Sequence, residues 1–153
     1  MALTPVDRLE LGDLVARYAA SVDTGAAGAV ADLFTTEGAL VAPAPPDHLG
    51  PTITHAGRAA IAESLGQLRG FPVTGHAIVG QVFDEAGTPD TATGRVACVA
   101  NHLSSRDDGR IRNLVWHLHY ADGYRRLAEG WRIERREMHV DWIETREVRQ
   151  WRK

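Results

Sequence analysis

The chain changes its hydrophobic period once, and that change limits its fold more than any other feature. Leu11, Leu14, Val15, Tyr18 and Val22 return every three or four positions, the repeat of one helix face. Thr4, Pro5 and Asp7 ahead of them carry an N-cap, a proline at the first helical position and an acidic first turn. The pattern predicts a helix over residues 5–22, closed by Asp23-Thr24-Gly25. Residues 26–34 read as a second, short helix with Val30, Leu33 and Phe34 on its apolar side, and a third is expected over 58–68. Strands are expected over 75–83, 91–103, 111–127 and 131–142, separated by short turns such as Ala128-Glu129-Gly130. In between, Leu40-Val41 is expected to open a strand and 42–51 to form a loop, since proline cannot pair in a ladder. The charged tail 143–153 reads as helical or frayed. Helices followed by antiparallel strands at short connections make an α+β domain. N-terminal helices over one face of a curved, mostly antiparallel sheet would enclose a pocket.

Length and charge narrow the function classes. A chain of 153 residues is expected to form one domain, 1–153. Its 17 basic and 20 acidic side chains leave a net charge of -3. That argues against binding nucleic acid or an anionic membrane by bulk electrostatics. Cys98 is the single cysteine, which rules out an intrachain disulfide framework and a cysteine-rich zinc site. No apolar run approaches the ~18 residues of a membrane span, and no secretory signal is visible, so a reduced, cytoplasmic protein is expected.

A few residues carry candidate chemistry. Asp23 ends the first helix, where a carboxylate either caps a junction or edges a pocket. His76 opens a strand. Alone it is a structural histidine; beside a carboxylate it becomes a general base whose tautomer is held and whose imidazolium is stabilised. Tyr18 lies five residues before Asp23, about 140° around the helix. His117 and His119 share one face of a strand, and His102 or His139 would be needed to complete a metal site. No metal is expected, and the pair is read as facing solvent or an interface with Val115. Trp116, Leu118 and Tyr120 form the opposite, apolar face, which is expected to meet substrate. Arg136 shares parity with Met138, Val140 and Trp142 and is expected to point inward toward an anionic partner or substrate. The chain has no glycine-rich phosphate loop, nucleophile elbow or His-Glu-x-x-His run.

Several segments together resemble the SnoaL-like group of the NTF2-like superfamily, whose fold is a cone-shaped α+β domain. They are Arg17-Tyr-Ala-Ala-Ser-Val-Asp-Thr-Gly25, Ala31-Asp-Leu-Phe-Thr-Thr-Glu37, Gly75-His-Ala-Ile-Val79, Thr93-Gly-Arg-Val96, Tyr120-Ala-Asp122, Gly130-Trp-Arg-Ile133 and Val140-Asp-Trp142. Within that group the chain looks most like scytalone dehydratase and the bile-acid 7α-dehydratases. The resemblance implies that Asp23 and His76 form the acid/base pair, with Tyr18 beside them. It places His102 at the position of a second catalytic histidine, Tyr120 at a polar lining position and Arg136 toward the cavity. The substrate-gripping residues of scytalone dehydratase are not kept: its tyrosines fall on Ala42 and Val22, and its serine and asparagine on Leu118 and Tyr120. Scytalone itself is therefore not the expected substrate.

The expectation is a dehydratase that removes water from a hydroxylated cyclic ketone, such as a steroid or polyketide, without metal or organic cofactor. An isomerase or cyclase beginning with the same proton abstraction stays open, as does a non-catalytic binding module. A homodimer is expected, or a homotrimer as in scytalone dehydratase.

Overall fold

The computed structural model describes residues 2–149. Helix α1 (Pro5–Asp23) is followed by α2 (Ala27–Asp32), β1 (Phe34–Ala44), β2 (His48–Ala56), α3 (Arg58–Gly66) and a 3-10 turn (Gln67–Gly70). Four long strands complete the chain: β3 (Val73–Glu85), β4 (Thr91–Ser105), β5 (Ile111–Leu127) and β6 (Gly130–Val148). The six strands form one sheet in the order β2-β1-β6-β5-β4-β3. Only β1 and β6 run parallel; every other pair is antiparallel. The sheet curves around the helices, so α1 lies against its concave face.

The start of α1 explains how helix and sheet are joined. Thr4 and Asp7 form a reciprocal capping box. The Asp7 carboxylate also accepts from the Trp131 indole at 3.1 Å and faces the Arg126 guanidinium at 2.6 Å. Burial alone would push the Asp7 carboxyl up. The Thr4 hydroxyl and amide, the Trp131 indole and the Arg126 charge outweigh it and hold the group at about 2. The apolar stripe predicted for this helix is buried, with Leu11, Leu14, Val15, Tyr18 and Val22 all in the core. Gly94 serves close packing, because a Cβ there would come within 2.9 Å of the Tyr124 ring and 3.0 Å of Phe83.

Four local expectations are corrected. First, β1 starts at Phe34 rather than at Leu40, and α2 ends at Asp32. Second, 42–51 is no loop. It is the tip of a hairpin, with β1 running through Ala44 and β2 starting at His48. Pro43 is tolerated because the β1–β2 register shifts between Ala42 and Ala44, and Pro51 because β2 is a sheet edge. Third, Ile143–Val148 is neither helical nor frayed, for it continues β6 and pairs with Ile111–Trp116 of β5. Its alternation is the reason: Ile143 packs on the core while Glu144 meets His117 at 2.8 Å. The end of the tail, 150–153, lies outside the described residues. Fourth, parity fails at Trp142. His117 and Leu118 are consecutive on β5 but pair with Trp142 and Val140, so Asp141 is an extra, bulged residue. Trp142 is thereby turned outward, 56% exposed and stacked on His117 at 4.2 Å.

Candidate active site

The concave side of the sheet and the helices enclose a cavity of about 500 Å³. Tyr18, His76, His102, Trp116, Leu118 and Tyr120, all singled out from sequence, line it. Leu40, Leu65, Leu68, Phe71 and Met138 add to its apolar wall.

Asp23 is the last residue of α1, and its position follows from how that helix stops. Thr24 caps the end through its amide to Ala20 and Val22 and its hydroxyl to Ala20, and Gly25 takes φ 72° to turn the chain away. The carboxylate thus projects at the start of β3. There its Oδ1 lies 2.6 Å from His76 Nδ1 and accepts from the Thr74 hydroxyl at 3.0 Å, while Oδ2 accepts from the His76 amide at 2.8 Å. One carboxylate so holds both the backbone and the ring of His76. The His76 side chain is 8% exposed, that of Asp23 26%. A carboxylate only accepts, so His76 carries its proton on Nδ1 and keeps Nε2 free as a base.

His102 enters the same cavity from β4, its ring 5.7 Å from that of His76 and perpendicular to it. Its Nδ1 is 3.1 Å from the Leu114 carbonyl, another pure acceptor. The ring is therefore held in the same tautomer, again with Nε2 free. Burial, and then the neighbouring His76, push its pKa down, so the ring is neutral at neutral pH. A side-chain chain on the other face of the sheet fixes these strands. The His102 amide donates to Asn113, Asn113 donates to Asn101 at 2.7 Å, and Asn101 donates to the carbonyl of Gly75. Sequence reading missed Asn101, Asn113 and Thr74. Their one signal was their nearness to His102 and His76 in sequence or across the strand ladder.

Tyr18 and Tyr120 meet edge to face at 5.8 Å. Burial pushes the Tyr18 hydroxyl up to about 12 and moves that of Tyr120 in the same direction, so both stay protonated; the Tyr120 hydroxyl is hydrogen-bonded to Cys98.

Arg136 corrects an expectation. It points inward but does not line the cavity; it is sealed behind the tyrosines. Its guanidinium lies 4.1 Å from the Tyr18 ring centre and 4.2 Å from that of Tyr120. Its Nε and Nη2 donate to the two oxygens of Asp122 at 2.9 and 2.6 Å, and Tyr124 donates to the same carboxylate at 2.5 Å. Burial alone would lower the guanidinium's pKa; the Asp122 carboxylate reverses this and holds it charged. The anion that Arg136 requires is thus part of the chain. The reason lies in the ladder, where Asp122 and Arg136 are direct partners across β5 and β6.

The histidines on the outer face of the sheet, His117, His119 and His139, take no part in the cavity. His117 meets Glu144, and His119 stacks on His139 at 4.9 Å and meets Asp141 at 3.1 Å. Among the described residues no three metal-ligating side chains come together as a site. Val115, expected on an exposed face with these histidines, is only 3% exposed within the chain itself.

The family model of the SnoaL-like domain matches residues 6–137. No curated protein matches the chain. Solved structures share its fold. A protein from Novosphingobium aromaticivorans named as a candidate scytalone dehydratase has TM-score 0.76 at 19% identity, over 94% of this chain and 90% of the other. A candidate aromatic ring hydroxylase from the same organism has TM-score 0.75 at 23% identity, over 95% and 96%. An NTF2-like protein with a cystatin-like fold, also from Novosphingobium aromaticivorans, has TM-score 0.63 at 28% identity, over 88% and 82%.

Proposed function

The chain belongs to the SnoaL-like domain family, and from that premise we propose that it is a dehydratase acting on a hydroxylated cyclic ketone. The observation that carries the reading is the Asp23–His76 contact at 2.6 Å, set in the wall of an apolar cavity beside a second, neutral histidine.

In the proposed reaction His76 Nε2 takes the proton from the carbon next to the substrate carbonyl. The C–H electron pair moves into the ring ketone and forms an enolate. Tyr18 donates a hydrogen bond to the enolate oxygen, a role suited to a hydroxyl that resists ionisation. Asp23 holds the imidazolium that His76 has become. The enolate then re-forms the carbonyl, a carbon–carbon double bond closes, and the bond to the β-hydroxyl breaks. The proton on His76 passes to the departing oxygen, which leaves as water. His102 accepts a hydrogen bond from that hydroxyl and holds it near His76, since a neutral ring bound to Leu114 through Nδ1 has an acceptor to offer. One proton thus leaves carbon and returns to oxygen through one histidine. Trp116 and Leu118 supply the flat apolar wall against which the ring system lies.

The test is turnover of a panel of β-hydroxylated cyclic ketones, followed by mass. Dehydration lowers the mass by one water. Isomerisation, the other outcome of the same proton abstraction, leaves the mass unchanged. The expected result is water loss by the wild type and none by His76→Ala or Asp23→Asn; equal turnover by all three overturns the reading.

A further inference from the structure

The lining of the cavity carries a histidine from each outer strand of the sheet. His76 stands on β3, one edge of the sheet; His55 stands on β2, the opposite edge. Helix α3 packs against β1 and β2, and where it passes into the 3-10 turn Ser64 and Gln67 line the same cavity. The Ser64 hydroxyl donates to the Ile61 carbonyl at 2.8 Å and keeps its lone pairs for a ligand. The side chains of His55 and Gln67 have no hydrogen-bond or ion-pair partner among the described residues. On the sheet, Leu40 of β1, Met138 of β6 and Leu118 of β5 lie between those two edges.

A second fact bears on charge. Among the described residues, no Asp, Glu, Lys or Arg lines this cavity. The nearest candidate cation, Arg136, is sealed and paired with Asp122, and Asp23 is committed to His76. A charged ligand group would lose its hydration with no fixed opposite charge to replace it.

We infer that the site takes an uncharged, rigid ring compound that carries an oxygen at each end, one held by His76 and His102 and the other by His55, Ser64 and Gln67. The inference rests on the proposed reading in taking the two histidines as the reacting end. It goes beyond it in assigning a specificity-determining patch and in excluding carboxylates, phosphates and phosphate-bearing thioesters as substrates. A neutral hydrogen bond in such a place is modest, so the distal patch acts on selection and orientation more than on raw affinity.

Three probes of nearly equal apolar area separate the possibilities: biphenyl with one para hydroxyl, biphenyl with a hydroxyl at each para end, and biphenyl with a para hydroxyl and a para carboxylate. Titration calorimetry on the wild type is expected to give the dihydroxy probe about 5- to 10-fold tighter binding than the monohydroxy probe, and the carboxylate the weakest of the three. In the double variant His55→Leu/Gln67→Leu, with its melting temperature checked, that advantage falls below about twofold while the monohydroxy probe keeps its affinity. In His76→Ala the probes weaken together and their ratio stays. Equal affinity for the two hydroxy probes, tightest binding of the carboxylate, survival of the advantage in the double variant, or no binding of any probe overturns the inference. Failure of the dehydration reading is seen separately, as this binding pattern without turnover of any hydroxy ketone.

Discussion

Asp122–Arg136 and Asp23–His76 are built from the same parts, a carboxylate against a nitrogen group at 2.6 Å, and differ in what else can reach them. The first is sealed, with both side chains at 0% exposure and two tyrosine rings across the guanidinium faces. The second opens on the cavity through His76 and on solvent through Asp23. A sealed pair has no exchange partner, so it acts on stability. An open pair whose base keeps a free ring nitrogen can give and take a proton. Distance alone tells the two apart in no way; the surroundings do.

The most severe break of this comparison is Asp122→Ala. It strands a buried guanidinium, and a loss of about 3–5 kcal/mol is expected, read as the urea unfolding free energy. Asp23→Asn and His76→Ala are expected to do the opposite. Turnover falls by about 10²–10⁴-fold in each, and stability barely changes. A large loss of stability in Asp23→Asn would mean that the open pair is structural as well.

Two pH effects sharpen the contrast. Asp7 is held at about 2 in the folded chain against an ordinary 3.8, so the folded state favours its ionised form. Its contribution is complete above 3.8 and is lost as pH falls through about 2. The shift corresponds to about 2 kcal/mol, and Asp7→Asn is expected to flatten that part of the stability profile. His102 is shifted the same way but has the other charge type. Its pKa falls below the ordinary 6.5 on folding, so at lower pH the unfolded chain binds a proton that the folded chain refuses. Stability is expected to decline as pH drops below 6.5, and His102→Gln to remove that slope. The smallest effect belongs to the outer face. His117 meets Glu144 at 2.8 Å, nearly the geometry of the catalytic candidate, yet His117→Ala is expected to cost under about 1 kcal/mol and to leave turnover unchanged.

Much of this was readable in advance. The apolar stripe of α1 named its own core, and of the residues read as an acid/base group Tyr18, His76 and His102 line the cavity while Asp23 meets it through His76. The misreadings have separate causes. Trp142 was placed by strand parity, which a single bulged residue at Asp141 reverses. Parity did turn Arg136 inward, but it says nothing of the neighbouring strand, where Asp122 takes the place given to substrate. The strand His48–Ala56 was lost because prolines forbid pairing in a ladder's middle but not at a sheet edge, and only the assembled sheet has edges.

By itself, the sequence determined the fold class, the helix that carries Asp23 and the strand that carries His76, because periodicity and capping are local. Only the tertiary structure decided that residues 53 positions apart meet at hydrogen-bond distance, that Asp122 neutralises Arg136, and that the outer histidines stay apart from the cavity. Those outcomes depend on register, sheet curvature and burial, which arise when strands distant in the chain are laid side by side.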